Sequence, residues 1–126
     1  MLEVIMNEKD VEWIKSPALH GVTIKMLALD KEFNAHAFLS RWDPGAVFPP
    51  HAHPVLEQQY SLEGECEYQG KVYGPGSHFI FPAGYEHGPF KTGDKGRLAL
   101  HVWPGLSGLE ERVPELKEYL KSIGAL

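Results

Sequence analysis

Glycine and proline punctuation governs what this chain can fold into. Thirteen glycines and ten prolines among 126 residues cut its middle into short segments: Val22 to Asp30, Phe33 to Trp42, a stretch around His51 to Leu62, Cys66 to Gln69, Ser77 to Phe81, and Leu98 to Trp103. Glycine ends regular elements by freeing φ, and proline by removing a backbone donor. Short segments at turn-punctuated intervals read as an all-β sandwich or barrel. VTIKMLALD and FNAHAFLSRW mix alternation with apolar runs, as strands do when one face looks into a barrel and the other meets a second sheet or a partner. Glu63-Gly64 and Gln69-Gly70 read as hairpin turns. After Pro104 the pattern changes, and Val113, Leu116, Leu120 and Ile123 follow helical spacing. With Pro114 suited to the first turn and Gly124 to the stop, one short C-terminal α-helix over about 110–123 is expected to pack on the outside.

The length suits a single domain over residues 1–126, its barrel spanning about 22–103. With 43% apolar and 23% charged residues, the composition is that of a soluble globular chain rather than a disordered one. Seventeen acids against twelve bases give a net charge of −5, with no Lys/Arg cluster to neutralise phosphates. Nucleic acid and anionic membranes are therefore not expected partners. No apolar run approaches the roughly 18 residues that span a bilayer. The N-terminal MLEVIMNEKD carries acids where a signal peptide carries bases, so the expected location is cytoplasmic. The lone Cys66 cannot form an internal disulfide and reads as a packed strand residue. The apolar MLEVI is expected to add a strand to a partner's sheet edge in a homodimer.

Two spaced patterns carry the chemistry: Gly45-x5-His51-x-His53-x3-Glu57-x6-Gly64, then Gly76-x5-Pro82-x-Gly84-x2-His87. On a strand, His51 and His53 project to the same side with Cα atoms about 7 Å apart, near enough for two imidazoles to share one ion. Glu57 keeps the same parity, with Pro54 marking an irregularity between them. Gly45, Gly64, Gly76 and Gly84 read as turn residues with positive φ.

Together these nine fixed residues resemble the two motifs of the cupin superfamily. The resemblance implies a jelly-roll, double-stranded β-helix barrel in which the second motif supplies the last ligand, so that His51, His53, Glu57 and His87 hold one divalent transition metal. Histidine and carboxylate ligands suit iron, manganese, nickel, cobalt or zinc, and ligand type does not choose among them. An octahedral ion keeps two positions for substrate, water or dioxygen, whereas tetrahedral zinc would be saturated. Lys91 stands where the second motif usually ends in Asn.

The phrases WIKSPALHGVTIKMLALD, SRWDPGAVFPPHAHP, VYGPGSHFIFPAGYEHGP and HVWPG are similar to small cupins grouped with β-diketone-cleaving dioxygenases and with the sensor cupin of anti-sigma factors. For the enzyme branch this implies a non-haem Fe(II) dioxygenase acting on an enolisable carbonyl or dicarbonyl small molecule, with dioxygen as co-substrate. The acetylacetone-cleaving members use three histidines without the glutamate, whereas Glu57 is present here. The alternatives are a zinc-binding sensor module and a metal-dependent isomerase. Arg41 and Arg97 are candidates for holding a carboxylate or enolate by a forked hydrogen bond, against the plainer reading of surface or salt-bridged arginines. His36 and His101 lie on strands and could face the cavity, although packed histidines are the commoner case. Trp42, Phe48, Tyr60, Phe79, Phe81, Tyr85 and Phe90 are candidate pocket walls or core, and His20 and His78 have no assigned role.

Overall fold

Alternating residues and turn glycines give eight strands, one α-helix and a 3-10 turn at Glu8–Asp10 in the computed structural model, which describes residues 5–30, 35–104, 111 and 113–123. The strands are β1 (Ile14–Lys15), β2 (Val22–Asp30), β3 (Ala35–Trp42), β4 (Val47–Phe48), β5 (Glu57–Tyr68), β6 (Lys71–Tyr73), β7 (His78–Phe81) and β8 (Phe90–Trp103). Helix α1 is Pro114–Ser122. The strands pair antiparallel in the order β1-β2-β3-β8-β5-β6, with β4 also on β8 and β7 also on β5.

The two longest strands organise the barrel. β8 pairs with β4 at Phe90 and Lys91, and with β3 from Arg97 to Trp103. β5 pairs with β7 at its start and with β6 at its end. The β5–β8 ribbon is therefore the centre of one eight-stranded sheet and must bend for the sheet to curl into a barrel. Register shifts at Ser61/Glu63 and Gly64/Cys66 supply the bend, because a bulge sharpens local twist. Gly64 sits there with φ of 71°, and a Cβ on it would collide with the Gly96 carbonyl.

The expected hairpin at Glu63-Gly64 is thus an irregularity inside β5. A bulge and a turn both require positive φ, so the local sequence reads the same for either. Gln69-Gly70 does turn β5 into β6, with φ of 52° and 76° at the two residues, the left-handed pair that a tight hairpin of the primed type needs. Gly45, Gly76 and Gly84 also adopt positive φ, as expected. The stretch around His51 to Leu62 is not one strand, since β5 begins only at Glu57.

Two apolar clusters fill the interior. Cys66, Tyr68, Phe79, Phe81 and Phe90 form one, and Val22, Ile24 and Trp42 the other, with Phe48 packed against both. Cys66 is 1% exposed, and burial raises its thiol pKa, which fits its packing role. Helix α1 starts with Pro114 in its first turn and buries Leu116 and Leu120 against Met26. Full burial of such a side chain contributes about 1.5–3 kcal/mol, so these two leucines are the anchors of the nine-residue helix. The expected stop at Gly124 and most of the N-terminal MLEVI lie outside the described residues. No helix among the described residues is long and apolar enough to cross a membrane.

Candidate metal centre

Backbone pairing, not a shared strand, brings the two motifs together. His51 and His87 form an isolated antiparallel bridge, each donating its N–H to the other's carbonyl at 2.9 Å. The turn after β7 adds a second tie, Gly84 N–H to the His53 carbonyl at 2.8 Å. Glu57 arrives as the first residue of β5. One ligand atom from each of His51, His53, Glu57 and His87 lies within 4.8 Å of all the others. His51 and His53 are therefore neighbours as expected, but on a connecting segment, with ring centroids 4.7 Å apart and nearly perpendicular.

Hydrogen bonding fixes which nitrogen faces inward. His51 Nδ1 lies 3.1 Å from the Pro49 carbonyl, and His87 Nδ1 lies 3.2 Å from the Tyr85 carbonyl. A carbonyl only accepts, so each Nδ1 carries a proton, which leaves each Nε2 as the nitrogen able to ligate an ion. Burial, only partly opposed by that bond, pushes His51 down to about 4 and keeps it neutral at pH 7. Burial also pushes the Glu57 carboxyl upward, but the facing His53 and His87 rings outweigh it and hold the group below the ordinary carboxylate range. His87 Nε2 lies 3.4 Å and His53 Nε2 3.1 Å from the Glu57 carboxylate oxygens. Imidazole nitrogens converging on a buried carboxylate are a donor set that a cation would complete. The cluster is able to hold a divalent metal ion.

Residues 2–103 match the family model described as the ChrR cupin-like domain. This chain belongs to that cupin family. A dimethylsulfoniopropionate lyase, DddQ, from Ruegeria pomeroyi is 32% identical over 74 residues, covering 55% of this chain. The cupin spans only 36% of that lyase's length. Among solved structures, anti-sigma ChrR in complex with SigE of Rhodobacter sphaeroides is 26% identical with a TM-score of 0.63, covering 77% of this chain and 51% of that one. An acetylacetone dioxygenase from Acinetobacter johnsonii shares the fold, with a TM-score of 0.64 at 14% identity over 82% of this chain and 73% of that one.

Behind the cluster, the cupin barrel supplies a polar relay that the sequence reading missed. Gln59 Nε2 donates to Glu57 Oε1 at 2.5 Å, and Arg97 Nη1 donates to Gln59 Oε1 at 3.0 Å. Arg97 also donates from Nε and Nη2 to Ser61 Oγ and is 3% exposed. Its guanidinium is therefore committed to the protein rather than offered to a carboxylate ligand. Arg41 is exposed, 3.7 Å from Glu63 and over the Trp13 ring. Strand parity was the available signal for Gln59 and Ser61, since β5 alternates buried and exposed from Glu57 through Ser61.

The cupin's cavity opens beside the cluster. His51, His53 and Glu57 line it together with an apolar wall that includes Met26, Phe38, Trp42, Phe48, Trp103 and Leu116. Its free volume is about 50 Å³. At roughly 10–15 Å³ per water on that measure, this is several waters' space, comparable with one substituted ring. His36 and His101 both line it, as the strand reading allowed. Of the expected aromatic walls, Trp42 and Phe48 are present, whereas Phe79, Phe81 and Phe90 belong to the other core cluster. Tyr60 and Tyr85 are exposed, as are His20 and His78.

Proposed function

We propose that His51, His53, Glu57 and His87 hold one divalent transition metal, and that this cupin is an enzyme acting on a small enolisable carbonyl or dicarbonyl compound. Iron(II) with dioxygen is the first pairing to test. One observation carries the reading: the converging donor atoms sit in the wall of an apolar cavity, so one side of the cluster faces space for a small molecule. When bound, the metal supplies Lewis acidity and a template for both reactants.

The chain's own residues do the rest. Three neutral imidazoles and one carboxylate leave one net positive charge on a divalent ion, which favours an enolate over its neutral parent. Gln59 holds the Glu57 carboxylate in one orientation, and Arg97 holds Gln59. Phe38, Trp42 and Trp103 make the lining largely apolar, which suits a ligand with an apolar body. Homodimerisation belongs to the same reading and is tested by sedimentation.

A second reading, a zinc-binding sensor, is favoured by the likeness to anti-sigma ChrR. The test is metal analysis of protein purified without chelator, followed by oxygen uptake after anaerobic Fe(II) loading, across diketones, hydroxyketones and phenolic ketones. Dimethylsulfoniopropionate belongs in the panel as an oxygen-independent comparison, given the lyase relative. Substrate-dependent oxygen loss is the expected result. No uptake across the panel overturns the oxygenase, and zinc that iron cannot displace points to sensing.

A further inference from the structure

His36 is 3% exposed, lines the cavity, and makes no hydrogen bond from either ring nitrogen. Its neighbour along the sheet shows the contrast. His101 Nε2 meets Ser40 Oγ at 2.6 Å, and Ser40 accepts from Trp42 Nε1 at 2.6 Å. The fold therefore satisfies one cavity histidine and leaves the other bare, and a buried polar group without a partner destabilises the protein that carries it. Such a residue needs a reason outside the folded chain.

Position supplies the reason. β3 and β8 set His36 opposite Trp103, and the two rings stack with centroids 4.8 Å apart. Trp103 also meets the His53 ring edge-on at 5.4 Å, so one indole touches both His36 and a member of the donor cluster. Trp103 Nε1 is also buried without a partner. Burial pushes His36 down to about 4, so at pH 7 it offers one donor and one acceptor and no charge. No lysine or arginine lines the cavity among the described residues, so a second carboxylate on a ligand would find no counter-charge there.

We propose that His36 is the recognition residue of the cavity: it hydrogen-bonds a neutral hydroxyl or carbonyl group on a compact, ring-sized ligand whose chelating end meets the His51, His53, Glu57 and His87 cluster. The chelating end rests on the metal reading above, while the bond to His36 does not. The substrate class narrows accordingly, from any enolisable carbonyl to uncharged hydroxy- or keto-substituted ones.

Two pyranones that differ by one hydroxyl make the test. Kojic acid and allomaltol carry the same hydroxyketone chelating edge, and only kojic acid bears a hydroxymethyl group across the ring. Titrated into nickel-loaded protein, where an octahedral ion would keep positions for the chelating edge, kojic acid is expected to bind about tenfold more tightly, the effect of one net hydrogen bond. In His36→Phe that preference is expected to vanish, with allomaltol affinity and metal content unchanged. The unfolding midpoint of the ligand-free variant is expected to rise by a few degrees, because the unpaired imidazole is gone and the ring stack is kept. A purely structural histidine would lower that midpoint. His36→Gln, which retains a donor and an acceptor, is expected to keep part of the preference and stands in should the phenylalanine variant fail to fold. Equal preference in native protein and variants, or no binding of either pyranone, overturns the proposal. Protein that takes up no metal overturns the metal reading alone, and the same pair titrated into metal-free protein still decides the role of His36.

Discussion

The main chains of His51 and His87 exchange two hydrogen bonds, each 2.9 Å long, so the first and second motifs are joined at the residues that carry their imidazoles. Because backbone atoms make this pair, a change of side chain leaves it in place. The donor set can be dismantled one member at a time without undoing the barrel.

His53→Ala is therefore expected to lose most of its bound metal after dialysis against a chelator, with an unchanged far-ultraviolet circular dichroism spectrum. His20→Ala, at an exposed position, is expected to keep the native stoichiometry. Elemental analysis checks both, and full metal in His53→Ala would sink the assignment.

The Arg97–Gln59–Glu57 relay makes a stability prediction. Gln59→Leu leaves a guanidinium nitrogen and a carboxylate oxygen short of partners inside the barrel, at a cost of about 2–4 kcal/mol. Arg41→Ala breaks only an exposed 3.7 Å pair, worth about 0–1 kcal/mol. Urea unfolding of the two variants gives the comparison, and equal losses would refute the relay.

Motif spacing made the donor set legible, because the Gly45–Gly64 and Gly76–His87 patterns encode both ligand types and the turns that aim them. Punctuation made β2 legible to the residue and β3 and β7 nearly so, whereas the short β1, β4 and β6 and the full lengths of β5 and β8 were not. What stayed hidden is set by pairing between distant strands. Gly64 reads alike as a turn or as a bulge until β8 is placed beside it. The burial of Arg97 follows from Gln59 and Ser61 across the β5–β8 ribbon, which local pattern does not reveal. His36 and His101 look equivalent in sequence, and only Ser40, reached from the neighbouring strand, separates them.

Acid is expected to destabilise the metal-free protein through those two histidines and through His51, which burial likewise holds near 4. Burial holds His36 near 4 and His101 near 3, whereas both titrate near 6.5 in the unfolded chain. Below pH 6.5 the unfolded chain binds the extra protons, so stability falls as pH falls, by up to about 1.4 kcal/mol per pH unit for each histidine. The loss ends near pH 4 for His36 and near pH 3 for His101. Glu57, held low in the fold, acts in the same direction below about pH 4.5. Urea midpoints at pH 7, 6 and 5 measure the slope, and a flat profile would contradict the neutral, buried state of both rings.

Metal binding should be readable as folding stability. A ligand that binds only the folded state at a hundred times its Kd adds about 2.7 kcal/mol, roughly a 10 °C rise in midpoint for a domain of this size. Glu57→Gln separates that gain from the apo energetics. The amide keeps the carboxylate's shape but not its charge, and with its oxygen at the Oε1 position it still accepts from Gln59, which leaves its NH2 on the side of His53 Nε2. The apo variant is expected to be slightly less stable than the native apo protein, because the contacts that hold the carboxyl low are lost, while most of the metal-induced rise disappears. Thermal unfolding of both proteins with and without zinc makes the measurement. A variant that gains as much as the native protein would remove Glu57 from the metal site, and one that loses several kcal/mol without metal would mean that its charge serves the fold through Arg97 instead.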